Sequence, residues 1–115
     1  MPLTLTLPAD RRALRIADAI LGDPAGSGTL DALAARSGGS LRTIQRLFLD
    51  ETGVPLSEWR QVARLMEAAA LLLDGKSVTD AALAAGYAGT SAFIHAFRRK
   101  FGQTPAAFAA GRFTS

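Results

Sequence analysis

Arg42, Gln45, Arg46 and Leu49 stand where a helix would bring them to one face, with Leu41, Ile44, Leu47 and Phe48 on the other. An exposed Arg, Gln and Arg near the front of a short helix suits base edges. An Arg fork can grip guanine through two hydrogen bonds, and a Gln amide can do the same for adenine. Later in the chain Phe93, Ala96, Phe97 and Phe101 form a second apolar stripe, faced by Thr90, Ser91, Ile94 and His95. Hydroxyls and one imidazole specify bases less sharply than Arg. Arg98, Arg99 and Lys100 close the same helix and read as phosphate clamps. Taken alone, Arg42 and Arg46 are more often solvated helix residues than base readers, and a repeat in the chain is what favours the nucleic-acid role.

Helices must hold these groups. Asp10 precedes Ala13, Leu14, Ile16, Ala17, Ala19, Ile20 and Leu21 at helical spacing, and Gly22, Asp23 and Pro24 end that run. Residues 22–28 form a flexible connector. Thr29 caps a second helix, Leu30 to Arg36, closed by Gly38 and Gly39; Ser40 caps a third, Leu41 to Glu51. Pro55 stands near the start of a long Ala/Leu-rich helix from about Leu56 to Leu73. Ser77 and Asp80 make a capping-box pattern that opens a fifth helix through Ala85, ended by Gly86. A sixth runs from about Ser91 to Phe101, and Thr104 with Pro105 opens a short seventh through about Ala109. Strand-like alternation is confined to Leu3 to Leu7.

The repeat emerges when the chain is slid against itself. Ala34 and Gly38 match Ala82 and Gly86; beyond those glycines the offset grows by one, and Ile44, Phe48, Gly53 and Trp59 match Phe93, Phe97, Gly102 and Phe108. A small Ala allows close helix approach, a Gly the sharp turn, and an aromatic one turn into the next helix anchors it. That is helix-turn-helix geometry twice. A connecting helix of about 17 residues is roughly 25 Å long, the scale needed to hold two readers in successive major grooves about 34 Å apart.

Composition bounds the rest. Of 115 residues, 49% are hydrophobic, enough for one compact domain with a real core. The net charge is only +3, yet residues 81–115 carry Arg98, Arg99, Lys100 and Arg112 with no Asp or Glu, so the far end is the positive pole. Without cysteine there is no disulfide, thiolate metal site or cysteine nucleophile, and the one His and the adjacent Asp50 and Glu51 make no recognisable catalytic or metal site. The expectation is a non-enzyme needing no metal or cofactor. The longest apolar run, Ala68 to Leu73, is too short for a bilayer, and Met1 to Pro8 lacks the form of a secretion signal, which points to the cytosol.

From Leu30 to Phe113 the chain resembles the DNA-binding domain of the bacterial AraC/XylS regulators. LDALAARSGGSLRTIQRLFLDETG and VTDAALAAGYAGTSAFIHAFRRKFGQTP carry the likeness, the run from Gly86 through Phe97 to Gly102 and Pro105 being the more diagnostic. The resemblance implies an all-α, seven-helix domain with two helix-turn-helix motifs in homeodomain-like halves, joined by a long central helix. Its expected parts are a leader over residues 1–9, a first unit over 10–53, a connecting helix over 54–74 and a second unit over 75–115 of a single DNA-binding domain.

By position, Arg42, Gln45 and Arg46 fall on the first base-reading helix, and Thr90, Ser91, Ala92 and His95 on the second; Ser40 and Thr43 join Arg98, Arg99 and Lys100 as expected phosphate contacts. Gly39, where the family usually has an apolar turn residue, is expected to loosen the first turn; Ala92 and Ile94 leave the second reader poor in hydrogen-bonding groups. Double-stranded DNA is the expected partner. RNA polymerase and an N-terminal sensor domain in a longer chain are further partners that the family implies. The alternative left open is a helical protein-interaction module, whose binding would change little with salt.

Overall fold

The computed structural model describes residues 5–24, 26 and 28–111. Seven helices follow one another: α1 (Arg11–Gly22), α2 (Leu30–Ser37), α3 (Leu41–Thr52), α4 (Leu56–Leu73), α5 (Val78–Ala84), α6 (Thr90–Phe101) and α7 (Pro105–Ala109), with no strand among the described residues. Leu3 of the alternating stretch, Ala25 and Ser27 of the connector, and Arg112 and Phe113 lie outside the described residues.

Local chemistry sets the helix starts. The Asp10 carboxylate accepts from the amides of Arg12 and Ala13 at 2.9 and 3.3 Å, and the Arg12 guanidinium, hydrogen-bonded to it, holds that carboxyl below its ordinary range. Thr29, Ser77 and Thr104 accept from the amides of Ala32, Asp80 and Ala107 at 3.1, 3.0 and 3.2 Å, satisfying donors that no helical carbonyl can reach. α2 and α3 each run one residue past the expected end. Ser37 and Thr52 bond back to the carbonyls of Leu33 and Phe48, both at 2.6 Å, so each hydroxyl is satisfied within the last turn.

The chain divides into two compact units, the break falling between Ala63 and Arg64 inside α4. In the first, Ala13, Ile16, Ala17 and Ile20 of α1 share one helical stripe and pack with Leu33 and Ala34 of α2, Ile44 and Phe48 of α3, and Leu56, Trp59 and Ala63 of α4. Phe48 meets Trp59 edge to face, ring centres 5.5 Å apart. Residues 5–9 have no regular structure but are fastened to this unit: Leu5 packs on the core and Pro8 is buried. The Trp59 indole donates to the Thr6 carbonyl at 3.0 Å, and the Glu51 carboxylate accepts from the amides of Ala9 and Asp10 at 3.2 and 3.1 Å.

The second unit packs Leu65, Ala68, Ala69 and Leu72 of α4 with Ala81, Ala82 and Ala85, Phe93 and Phe97 of α6, and Phe108 of α7. Its aromatic rings form a chain: Tyr87 to Phe93 and Phe93 to Phe97 at 5.6 Å, Phe97 stacked on Phe101 at 4.3 Å, and Phe108 against both Phe97 and Phe101. The sequence suggests that Tyr87, just after the turn glycine, is packed with its hydroxyl at the rim. Instead it is enclosed and has no hydrogen-bond partner, and burial pushes the phenol pKa up against the opposing charge of Arg64.

Removing that hydroxyl should therefore do no harm. Tyr87→Phe is expected to leave stability unchanged or raise it by up to about 1 kcal/mol in denaturant unfolding, since an unpaired buried hydroxyl loses its water without gaining a partner. The native chain keeps the benefit of a neutral phenol below pH 10, the ordinary value, and loses it as pH rises through the raised folded pKa. Tyr87→Phe should abolish that alkaline component; a destabilisation of about 1 kcal/mol or more at neutral pH would mean that the hydroxyl has a partner after all.

Candidate nucleic-acid interface

Each helix pair turns at a glycine. Gly38 after α2 and Gly86 after α5 take φ of 86° and 87°, a left-handed conformation that side-chain-bearing residues enter only at a cost. These are the two glycines that the repeat aligns. The first turn is closely packed rather than loose: a Cβ on Gly39 would lie 3.2 Å from the Ile44 side chain and 3.4 Å from that of Arg12. The bare Gly39 lets Ile44, fully buried, seat the head of α3 on the core.

With Ile44 and Phe48 fixed inward, α3 turns Arg42, Gln45 and Arg46 to solvent. Ser40 caps the helix, accepting from the Thr43 amide at 3.2 Å while its hydroxyl donates to the Thr43 hydroxyl at 2.9 Å. Ser40 is exposed and Thr43 half-buried, so these two expected phosphate contacts already form one polar cluster. Gln45, Arg46 and the exposed Leu49 also line an open groove of about 300 Å³ with Pro55, Leu56 and Ser57. The start of α4 thus extends the exposed face of α3. No periodicity within α3 alone signals this, because the residues come from the next element.

In the second unit α6 begins after Gly89, whose extended backbone provides no side-chain cap. Phe93 and Phe97 are fully buried, and Ser91, Ala92, Ile94 and His95 are exposed; Thr90, expected among the readers, is half-buried. Arg98, Arg99 and Lys100 are exposed in the last turn. There they also complement the negative end of the helix dipole. The structure brings Ser91, His95 and Arg98 together on one helical face, with Ala92 and Arg99 flanking it.

Other basic residues have local employment. Arg15 reaches the Ser37 carbonyl at 3.5 Å, and Arg60 donates to the Gly26 carbonyl at 2.7 Å. Arg64 lies against the Gly86 turn. Glu51 is occupied by the amides of Ala9 and Asp10, a pairing that no local pattern foreshadows. Among the described residues no group of three His, Cys, Asp or Glu is placed to hold a metal, and no helix is long and apolar enough to cross a membrane.

Two helix pairs, each with a left-handed glycine at the turn and an exposed second helix anchored by aromatics, define a tandem helix-turn-helix protein. The model of a helix-turn-helix domain family matches residues 33–111. The HTH-type transcriptional regulator RipA of Corynebacterium glutamicum is 41% identical over 109 residues, covering 95% of this chain and 33% of RipA. PqrA of Proteus vulgaris, a probable transcription factor, is 38% identical over 69% of this chain and 66% of its own length. Among solved structures, an AraC-type regulator from Chromobacterium violaceum superposes with TM-score 0.83 at 26% identity, covering 88% of this chain and 91% of that one. The DNA-binding domain of AdpA, solved in complex with a target DNA, gives TM-score 0.78 at 31% identity, covering 90% and 93%. The chain belongs to the AraC-type helix-turn-helix family. It spans about one third of the length of the two RipA proteins it matches.

Proposed function

We propose that the chain is the DNA-binding part of a bacterial transcription regulator, in which α3 and α6 each read a major-groove segment of a promoter. The observation that carries this is the exposed Arg42, Gln45 and Arg46 face, held outward by the buried Ile44 and Phe48. Arg42, Gln45 and Arg46 contact base edges in the first segment; Thr90, Ser91, Ala92 and His95 approach the second. Ser40, Thr43, Arg98, Arg99 and Lys100 contact phosphate and position the readers without selecting sequence. The likeness to AdpA, whose domain was solved on its target DNA, supports the same mode of binding.

On this reading the chain acts in the cytosol, catalyses no reaction, and works beside RNA polymerase. The relatives are about three times as long as the part matched, which leaves room for a sensor domain in a longer protein.

Selection of bound sequences from a random duplex pool tests the proposal. The expected result is an enriched site with two blocks about one helical turn apart. Arg46→Ala should cost about 1–3 kcal/mol on that site and relax base preference within the first block. Equal weakening on the enriched and a random duplex would defeat the base-reading role of Arg46, and a pool without enrichment would defeat sequence-specific reading by this chain.

A further inference from the structure

The two reader helices are the same length and end alike: α3 closes at Gly53 with φ 75° and ψ 4°, α6 at Gly102 with φ 77° and ψ 3°. Residues can therefore be compared position by position through the repeat. Arg42 corresponds to Ser91, Arg46 to His95, and Gln45 to Ile94. Ile94 thus occupies, in the second reader, the place of an amide suited to adenine in the first.

Ile94 is also misplaced as a structural residue. Phe93 and Phe97 are fully buried and Ala96 and Phe101 pack against the second core, but Ile94 is 37% exposed and belongs to no core cluster. It lies one turn before the exposed Arg98 and beside Ser91 and His95. An aliphatic side chain set among hydroxyl, imidazole and guanidinium groups on a groove-reading face has one natural partner on DNA, the C5 methyl of thymine in the major groove.

We propose that Ile94 determines specificity in the second segment by packing against a thymine methyl, so that this reader selects by apolar contact where the first selects by hydrogen bonds. The proposal rests on the DNA-reading function above. Cationic Arg98, Arg99 and Lys100 at the end of the same helix supply the attraction to the phosphate chain that brings Ile94 to the groove.

The test uses the enriched duplex and a copy in which deoxyuridine replaces thymine in the second block alone, removing only methyl groups. Wild-type affinity should fall about fourfold for each methyl contacted, the worth of one buried methyl-sized group. Ile94→Ala should bind the thymine duplex about as weakly as the wild type binds the uracil duplex, and should no longer distinguish the two. Because Ile94 belongs to no core cluster, the variant should still fold, which its melting checks, and sensitivity to uracil in the first block should be unchanged. A second block without thymine, or a uracil effect equal in wild type and Ile94→Ala, overturns the methyl contact while leaving DNA reading intact. Failure to enrich any site overturns the reading on which it rests.

Discussion

Trp59→Ala is expected to destabilise the first unit by about 3–5 kcal/mol, the range for removing a fully buried large aromatic side chain. Trp59 is 0% exposed, packs edge to face on Phe48, and donates to the Thr6 carbonyl. The substitution opens a cavity beneath α3 and at the same time releases the segment before α1. A stability of about 5–15 kcal/mol is usual for a whole domain, so the loss removes a large share of the margin and the unfolding midpoint should fall steeply. Denaturant unfolding followed by circular dichroism measures the effect. Trp59→Phe separates the parts, since it keeps an aromatic ring against Phe48 and removes the indole donor; a destabilisation below about 1 kcal/mol in Trp59→Ala would show that the core closes over the gap.

The second large effect concerns binding. Replacing Arg98, Arg99 and Lys100 together with alanine should lower the slope of log affinity against log salt by about 2.7, at roughly 0.9 for each phosphate that is no longer neutralised. The weakening should be the same on the enriched site and on a random duplex, because phosphate contacts carry no base information. This distinguishes the triple variant from Arg46→Ala, whose effect should be confined to the enriched site. The three residues also sit favourably at the negative end of α6, so melting is measured alongside. An unchanged salt slope in a folded variant would remove them from the phosphate contacts.

Much of this architecture was legible because it rests on chemistry within a few residues. Thr29, Ser40 and Ser77 cap the helices expected of them, and Asp10 and Thr104, which stand before expected helices, cap theirs as well, by bonds that span two or three residues. The repeat aligned Gly38 with Gly86, and the backbone gives both the same left-handed turn. What was not legible depends on distant chain. Glu51 meets amides 42 and 41 residues away, Trp59 a carbonyl 53 residues away, and Arg60 a carbonyl 34 residues away. No local pattern announces such partners.

The two proposed reader faces divide in the same manner. Arg42, Gln45 and Arg46 could be placed outward from the stripe behind them. Thr90 could not be given its half-burial, because it follows Gly89 at the uncapped start of α6, where the path of the turn decides exposure. Tyr87 was expected to pack, as it does, but whether its hydroxyl reached the rim depended on how closely the neighbouring rings and Arg64 enclosed it.

The separation into two cores has an optical consequence. The chain contains one tryptophan and one tyrosine; Trp59 lies in the first core and Tyr87 packs against the second. Each half therefore carries its own chromophore. Indole emission, excited selectively, reports the solvent seen by the first core, and the ultraviolet absorbance of the phenol, which changes when it ionises, reports on the second, so each half has a probe without an attached dye.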